Sequence, residues 1–235
     1  MPTPLFQRDV AGRRVSVVAT DRADGDVHPD RVGPDQLVAR QLQTTGARWA
    51  MLDEVHGVEV VRVDAAPVDG ILSGVGDVIV TDRTDVQIAV WTADCAPILL
   101  FADDGTVVGA HGGWKGLADG VVDIAVAEAQ RNGGRVVASV VGPAIGPCCY
   151  EFGLDELRAV AAGVHATTEA IGGRTRTGSL ALDVGAAVGA ALEFHDIAVD
   201  VAGPCTGCDA RWFSHRVRAD AGRHATVAIR EAAAR

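Results

Sequence analysis

The sequence predicts an α+β fold, a single domain of mixed β-sheets flanked by helices, and three observations carry that expectation. Short apolar runs of strand character alternate irregularly with helix-periodic stretches. Several neighbouring strand runs are joined by turns too short to hold a crossover helix, and a regular strand–helix–strand alternation is absent, which counts against a Rossmann or barrel architecture. The 235 residues show no Pro/Ser-rich linker, low-complexity tract or repeat, so one domain is drawn over residues 1–235.

In chain order, "RRVSVVAT" (13–20) reads as a strand closed by the polar turn "DRADGD". "GPDQLVARQLQTTG" (33–46) reads as a helix, with Pro34 in its first turn, Gly46 as its stop, and Leu37, Val38 and Leu42 on its apolar face. Short strands follow at 58–64, 76–82, 86–92 and 97–101, and "DDG" turns the last of these into a strand over 106–111. The clearest helical periodicity lies in "GLADGVVDIAVAEAQRNGG" (116–134). Residues 135–142 read as buried strand and "GPAIGPCCYEFG" (142–153) as a rigid loop fit to wall a pocket. Helices are expected at 154–162 and 183–195, and strands at 196–203 and 224–230.

Composition narrows the function. Hydrophobic residues at 48% and charged residues at 22% are the balance of a soluble globular protein. The net charge of -10, with no Lys/Arg run, argues against a nucleic-acid partner but leaves room for a small anionic substrate in a locally positive site. The opening residues lack the apolar core of a signal peptide. No apolar run reaches the ~20 residues that a bilayer-crossing helix needs. The expected setting is the cytoplasm, with no membrane partner and a monomeric chain. Five cysteines, two of them adjacent at Cys148 and Cys149, disfavour a disulfide framework and leave thiols or metal ligands.

Three residues stand out for chemistry. In "WTADCAPILL" an acid and a thiol, Asp94 and Cys95, break an apolar strand pattern, and Pro97 removes a ladder donor, so the strand is expected to be interrupted there. His56 in "DEVHGVEV" and His111 in "VGAHGGWKG" each end a strand-like run and are followed by glycine. Two imidazoles and one thiolate at strand ends suit zinc with a fourth position open. His28, His165, His195 and His224 sit in bland settings. Lys115 and Trp114, just ahead of the strongest helix, are the best anion-binding candidates, and "RWFSHR" (211–216) brings Arg211 and Arg216 near the end of the chain. "PCTGC" (204–208) is half of a zinc-deaminase signature, but no His-x-Glu accompanies it, and no second Cys-x-x-Cys completes a structural zinc site. A redox pair and a tight loop of buried thiols both remain open for Cys205 and Cys208.

Together, "EVHG", "TADCAPILLF", "GAHGGWKGL", "VGPAIGPCCYEFG" and "CTGCDARWFSHR" resemble the YfiH-like family in order and spacing over roughly residues 50–235. Its members carry the names polyphenol oxidoreductase (laccase-like) and purine nucleoside phosphorylase with adenosine deaminase activity. The resemblance implies a fold similar to toxin-type cysteine hydrolases and a zinc held by His56, Cys95 and His111. It implies phosphorolysis of adenosine, inosine and methylthioadenosine to free base and (methylthio)ribose 1-phosphate, and deamination of adenosine to inosine. Cys95, His56, His111 and Asp94 are then the catalytic residues, and Lys115, Trp114, Glu54, Arg211 and Arg216 the substrate-binding ones. A zinc so placed lowers the pKa of water toward ~7, and Asp94 or Glu54 is the expected proton shuttle.

The chain departs from the family pattern in places. Glu54 stands where Gln is usual, Gly112 where Ala is usual and Lys115 where Arg is usual, and the N-terminal "VATDRADGDVHPDRVG" lacks the Ser-Leu-Asn-Leu-Gly-like stretch common in the family. Lysine keeps the charge but gives up bidentate recognition of an oxyanion. Three rival readings accompany this one. Cys95 and His111 form the nucleophile and base of an amidase that edits cell-wall (muropeptide) precursors. A copper-dependent polyphenol oxidase needs about ten histidines, against the seven present. The third rival is a non-catalytic protein that binds a metabolite or a division-protein partner.

Overall fold

Two β-sheets pack face to face, with one helix outside the first and a layer of helices outside the second, in a computed structural model that describes residues 1–10, 12–67 and 72–231. The first sheet has the order β1 (Thr3–Val10), β2 (Arg13–Ala19), β13 (His224–Arg230), β6 (Gln87–Thr92) and β3 (Trp49–Ala50). The second has the order β12 (Val201–Ala202), β9 (Val136–Val141), β7 (Ala96–Ala102), β8 (Val107–Gly112), β5 (Val78–Thr81) and β4 (Val60–Arg62). Inner pairs are antiparallel, while β3/β6, β4/β5 and β9/β12 are parallel, so both sheets are mixed. A separate ribbon pairs β10 (Gly172–Arg174) with β11 (Leu180–Leu182). The helices are α1 (Pro34–Thr45), α2 (Trp114–Ala118), α3 (Val121–Gln130), α4 (Leu154–Gly163), α5 (Thr168–Ile171), α6 (Val184–Phe194) and α7 (His215–Arg218).

Period-2 alternation sorts the strand side chains between layers. In β7, Leu99 and Phe101 point into the core between the sheets, whereas Ile98 and Leu100 face the helices α3 and α6. In β6, Ile88 and Val90 enter the inter-sheet core, and Ala89 and Trp91 pack toward α1. Strands buried on both faces explain why these runs are almost continuously apolar. Gly109 in β8 sets the closeness of the sheets: a Cβ there would lie 2.7 Å from Ile88 Cγ2 and 3.0 Å from Ile79 Cγ2.

The mixed-sheet α+β class read from the sequence is the class observed. Local details differ. The helix expected over 116–134 breaks at Asp119-Gly120, where Gly120 takes φ +82°, and becomes the short α2 followed by α3. On α1 the buried pair is Leu37 and Gln41, one turn apart; Leu42, assigned to the apolar face, is exposed. The Gln41 amide accounts for this, since it donates to Met51 Sδ and accepts from the backbone N–H of Trp49. Pro97 lies inside β7, opposite His111, and does not break the strand; the interruption is the segment 93–95. The strand expected at 196–203 is reduced to Val201–Ala202, because its upstream residues instead hold β9 through Ser139. No helix among the described residues is long and apolar enough to cross a membrane.

His224 opens β13 fully buried, beside Trp212, and burial pulls its pKa down to about 4. Its imidazole therefore stays neutral in the fold, while the unfolded chain takes up a proton below about 6.5. The folded pKa is the lower one, so stability falls as pH drops from about 6.5 toward 4. Between pH 7 and pH 5 this one group is expected to cost about 2 kcal/mol. Denaturant midpoints at the two pH values should differ accordingly in the native protein, and the difference should shrink by that amount in His224→Phe.

Candidate active site

Strand β6 belongs to the first sheet and β7 to the second, so Ala93-Asp94-Cys95 is the crossover between them. Reversing between layers in three residues takes Asp94 to φ +104°, a backbone region that costs a non-glycine residue about 1–3 kcal/mol. Its side chain offsets that cost. The Thr206 hydroxyl donates to Asp94 Oδ1 at 2.6 Å and the Arg216 backbone N–H to Oδ2 at 2.7 Å. The Ile145 N–H donates to the Asp94 carbonyl at 2.8 Å. The acid thus holds the crossover, and the thiol beside it faces the cavity.

His56 reaches the same place from a turn before β4, also left-handed at φ +63°, and His111 from near the end of β8. His56 Nε2 lies 3.7 Å from Cys95 Sγ, and the two imidazole centroids are 4.7 Å apart, edge to face. One donor atom from each of the three residues lies within 4.8 Å of the others. Gly113 permits this approach, because a Cβ there would sit 2.6 Å from His56 Cδ2.

The alignment is set by Asp77, wholly buried at the head of β5. Its carboxylate accepts from the backbone N–H groups of His56 at 2.9 Å and Gly57 at 2.7 Å, and pairs with His111 Nδ1 at 2.8 Å. Burial pushes the Asp77 carboxyl up, but the hydrogen bonds from His111, Gly57 and His56 outweigh it and hold it below its ordinary value. The ionised carboxylate holds the Nδ1 proton of His111. Burial opposes the charged imidazole, but the charges of Glu54 and Cys95 with the Asp77 hydrogen bond raise it above its ordinary pKa. A metal would displace the Nε2 proton and take that nitrogen as its ligand.

Electrostatics fit the same picture. Burial raises the Cys95 thiol, yet the charge and hydrogen bonds of His111 and His56 prevail and bring it down to about 6. Burial lifts the Glu54 carboxyl to about 8, despite the pull of His111. Glu54 is anchored by the Trp91 N–H on Oε1 at 3.1 Å and sits 3.7 Å from His111 Nδ1 through Oε2. Two imidazoles and a thiolate of lowered pKa, gathered within the reach of one ion, fit a borderline divalent metal with an open coordination position.

The three donors line a cavity of about 610 Å³, a size that suits a small-molecule ligand. Trp114, braced by Phe152 at 5.7 Å, and Tyr150 supply aromatic wall, and the Arg216 guanidinium lies 4.8 Å over the Tyr150 ring.

Of the sequence candidates, His56, Cys95 and His111 converge, and Glu54, Asp94, Trp114, Lys115 and Arg216 line the same cavity. Arg211 does not: its guanidinium pairs with Asp209 and lies over Trp212. Lys115 sits within the five-residue α2 and does not stand immediately before the longer helix α3 as expected, because of the break at Gly120. Asp77 and Thr206 were missed. The criterion that singled out Asp94, an acid at the edge of an apolar strand, applies equally to Asp77 in "GDVIVT".

A family model described as multi-copper polyphenol oxidoreductase laccase matches residues 22–231. A Streptomyces coelicolor protein named as a purine nucleoside phosphorylase is 40% identical over 196 residues, covering 80% of this chain and 77% of that protein. A protein of the same name from Xylella fastidiosa strain Temecula1 is 36% identical over 184 residues, 75% of this chain and 70% of that one. The crystal structure of YlmD from Geobacillus stearothermophilus shares the fold, with a TM-score of 0.78 over 97% of this chain and 100% of the other at 24% identity.

Asp77→Asn keeps the shape of the side chain but removes the charge that fixes the His111 tautomer. Zinc affinity, measured by competition with a chromophoric chelator, should fall about 10–100-fold; unchanged affinity would mean that the carboxylate does not orient a ligand.

Proposed function

The chain belongs to the multi-copper polyphenol oxidoreductase laccase family, and from that membership we propose that it is a purine nucleoside phosphorylase built on a metal centre at His56, Cys95 and His111. One observation carries the reading most: three soft or borderline donors lie within 4.8 Å of one another on the wall of a ligand-sized cavity that also presents Lys115 and Arg216. The names of the relatives point the same way. Zinc is the metal proposed, because two histidines, one thiolate and an open position are the pattern of catalytic zinc sites, and it would supply Lewis-acid stabilisation of developing negative charge.

In phosphorolysis an oxygen of inorganic phosphate bonds to C1′ of the nucleoside while the C1′–N9 bond breaks and its electron pair leaves with the purine. Lys115 and Arg216 are the cations on the cavity wall suited to hold the phosphate. Lys115 acts as a point charge, and Arg216 is set in place by its backbone bond to Asp94 and its stacking on Tyr150. Trp114 and Tyr150 offer faces for the purine. The departing base needs a proton. Glu54 is the carboxyl placed to carry it, since both oxygens of Asp94 are committed to Thr206 and Arg216. Adenosine, inosine and methylthioadenosine are the proposed substrates, in a cytoplasmic setting. Adenosine deamination is a second use of the same centre, with Glu54 again moving the proton as water replaces the 6-amino group.

A rival reading rests on one specific feature. Asp77, His111 and Cys95 run in the order orienting acid, base and thiol, the arrangement of a thiolate hydrolase acting on an amide, such as one in a muropeptide precursor. Copper-dependent phenol oxidation fits less well. Among the described residues one His/Cys/His centre is formed, while His165 and His195 pair with Asp123 and His224 is buried elsewhere.

Phosphate-dependent release of hypoxanthine from inosine separates these readings. Cys95→Ala should lose the metal and lower kcat/KM by about 100-fold or more, and a chelator should do the same to the native protein. Lys115→Ala should raise KM for phosphate while the metal stays bound. Full inosine turnover by Cys95→Ala would overturn the metal mechanism, and amide cleavage that resists a chelator but not thiol alkylation would favour the hydrolase.

A further inference from the structure

We infer that the chain carries a second, structural metal site: a single zinc held by the thiolates of Cys148, Cys149, Cys205 and Cys208, which clamps together two loops that wall the cavity. The Cys205/Cys208 pair, read from sequence as lacking a partner pair, faces the adjacent cysteines Cys148 and Cys149 across a loop contact. The Pro147–Cys149 3₁₀ turn is what turns both of those side chains toward one point.

Two of the sulfur–sulfur distances match a tetrahedral edge and a third is shorter. Cys148 Sγ lies 3.1 Å from Cys208 Sγ and 3.7 Å from Cys205 Sγ, and Cys149 Sγ lies 3.7 Å from Cys208 Sγ. All four sulfurs fall within 4.8 Å of one another. Four thiolates about 2.3 Å from one zinc are spaced about 3.8 Å apart, so the set needs only small adjustments to close on an ion. The same compactness leaves no room among the sulfurs for the several irons and sulfides of a cluster. All five cysteines of the chain are free, and these four form a closed set, unlike the three donors of the open centre.

Two hydrogen-bond donors already address the sulfurs. The Gly146 N–H donates to Cys205 Sγ at 3.1 Å, and Arg176 Nη2 donates to Cys208 Sγ at 3.0 Å. Four thiolates around a dication carry a net double negative charge. N–H donors and a guanidinium are the groups that stabilise such a centre, and four neutral thiols would have no need of a cation. The backbone is equally prepared: Ala144 bridges Cys205 in parallel, and Gly203 lies so close to Gly142 that a Cβ would be 2.4 Å from its carbonyl carbon.

The clamp has a mechanical consequence for the cavity. Tyr150 follows Cys149 directly, and Thr206, which holds the Asp94 carboxylate, lies between Cys205 and Cys208. Arg218 reinforces that segment by donating to the carbonyls of Thr206 and Gly207. Zinc at this point would fix the Tyr150 wall and the crossover that presents Cys95. The inference stands whether or not the phosphorylase reading holds.

Elemental analysis of protein purified from zinc-replete cells without chelator tests it. Two zinc ions per chain are expected in the native protein, one in Cys95→Ser and one in Cys208→Ser, whose exposed side chain makes misfolding least of a concern. A measurement that leaves all four clustered cysteines intact is cobalt(II) loading of Cys95→Ser, which should give the visible spectrum of a tetrahedral tetrathiolate. Native zinc content in Cys208→Ser, loss of all zinc in Cys95→Ser, or a metal-free protein lighter by two hydrogens through a disulfide would each overturn it.

Discussion

Three N–H groups converge on the Asp77 carboxylate, and the candidate centre depends on that convergence. One comes from the His56 backbone, one from Gly57 and one from the His111 ring. A buried carboxylate without such partners would be strongly disfavoured; with them it joins the turn before β4 to β8 and fixes which nitrogen of His111 a metal would take. Cys95 arrives independently, from the crossover between the two sheets, and its position is secured by Asp94. Two acids outside the proposed donor set therefore aim the three residues within it.

Two of the five non-glycine residues at positive φ among the described residues lie at the candidate centre. His56 and Asp94 are both non-glycine residues at positive φ, and both are over-determined by hydrogen bonds from elements distant in sequence. Residues held in this way cluster at functional sites, because rigid surroundings can keep a donor where relaxed backbone would not. The glycines at 109 and 113 serve the same end from the other direction: one lets the sheets close, and the other lets the His56 ring settle against the loop.

Much of this was legible in the sequence, for identifiable reasons. The strands β5 to β9 and β13 announced themselves because they are buried on one or both faces and flanked by turn residues. The three donors were visible because His, Cys and His each end an apolar run, and the family resemblance placed them together. What escaped depends on tertiary partners. The exposure of Leu42 follows from Gln41 finding Met51 and Trp49, and the split of the long helix follows from the left-handed Gly120. Arg211 was grouped with Arg216 in one basic stretch, but its guanidinium is taken up by Asp209 and the Trp212 ring. The four-cysteine cluster was hidden because its halves lie more than fifty residues apart and only one has the spacing of a metal motif.

The most direct test of the three-donor centre is an anomalous-difference map at the zinc edge from crystals of zinc-loaded protein. A peak at roughly 2.0–2.3 Å from His56 Nε2, Cys95 Sγ and His111 Nε2, distinct from the one expected at the four-cysteine cluster, is the predicted result. Zinc-replete crystals that show no density among those atoms, with the imidazoles turned away from the thiol, would contradict it.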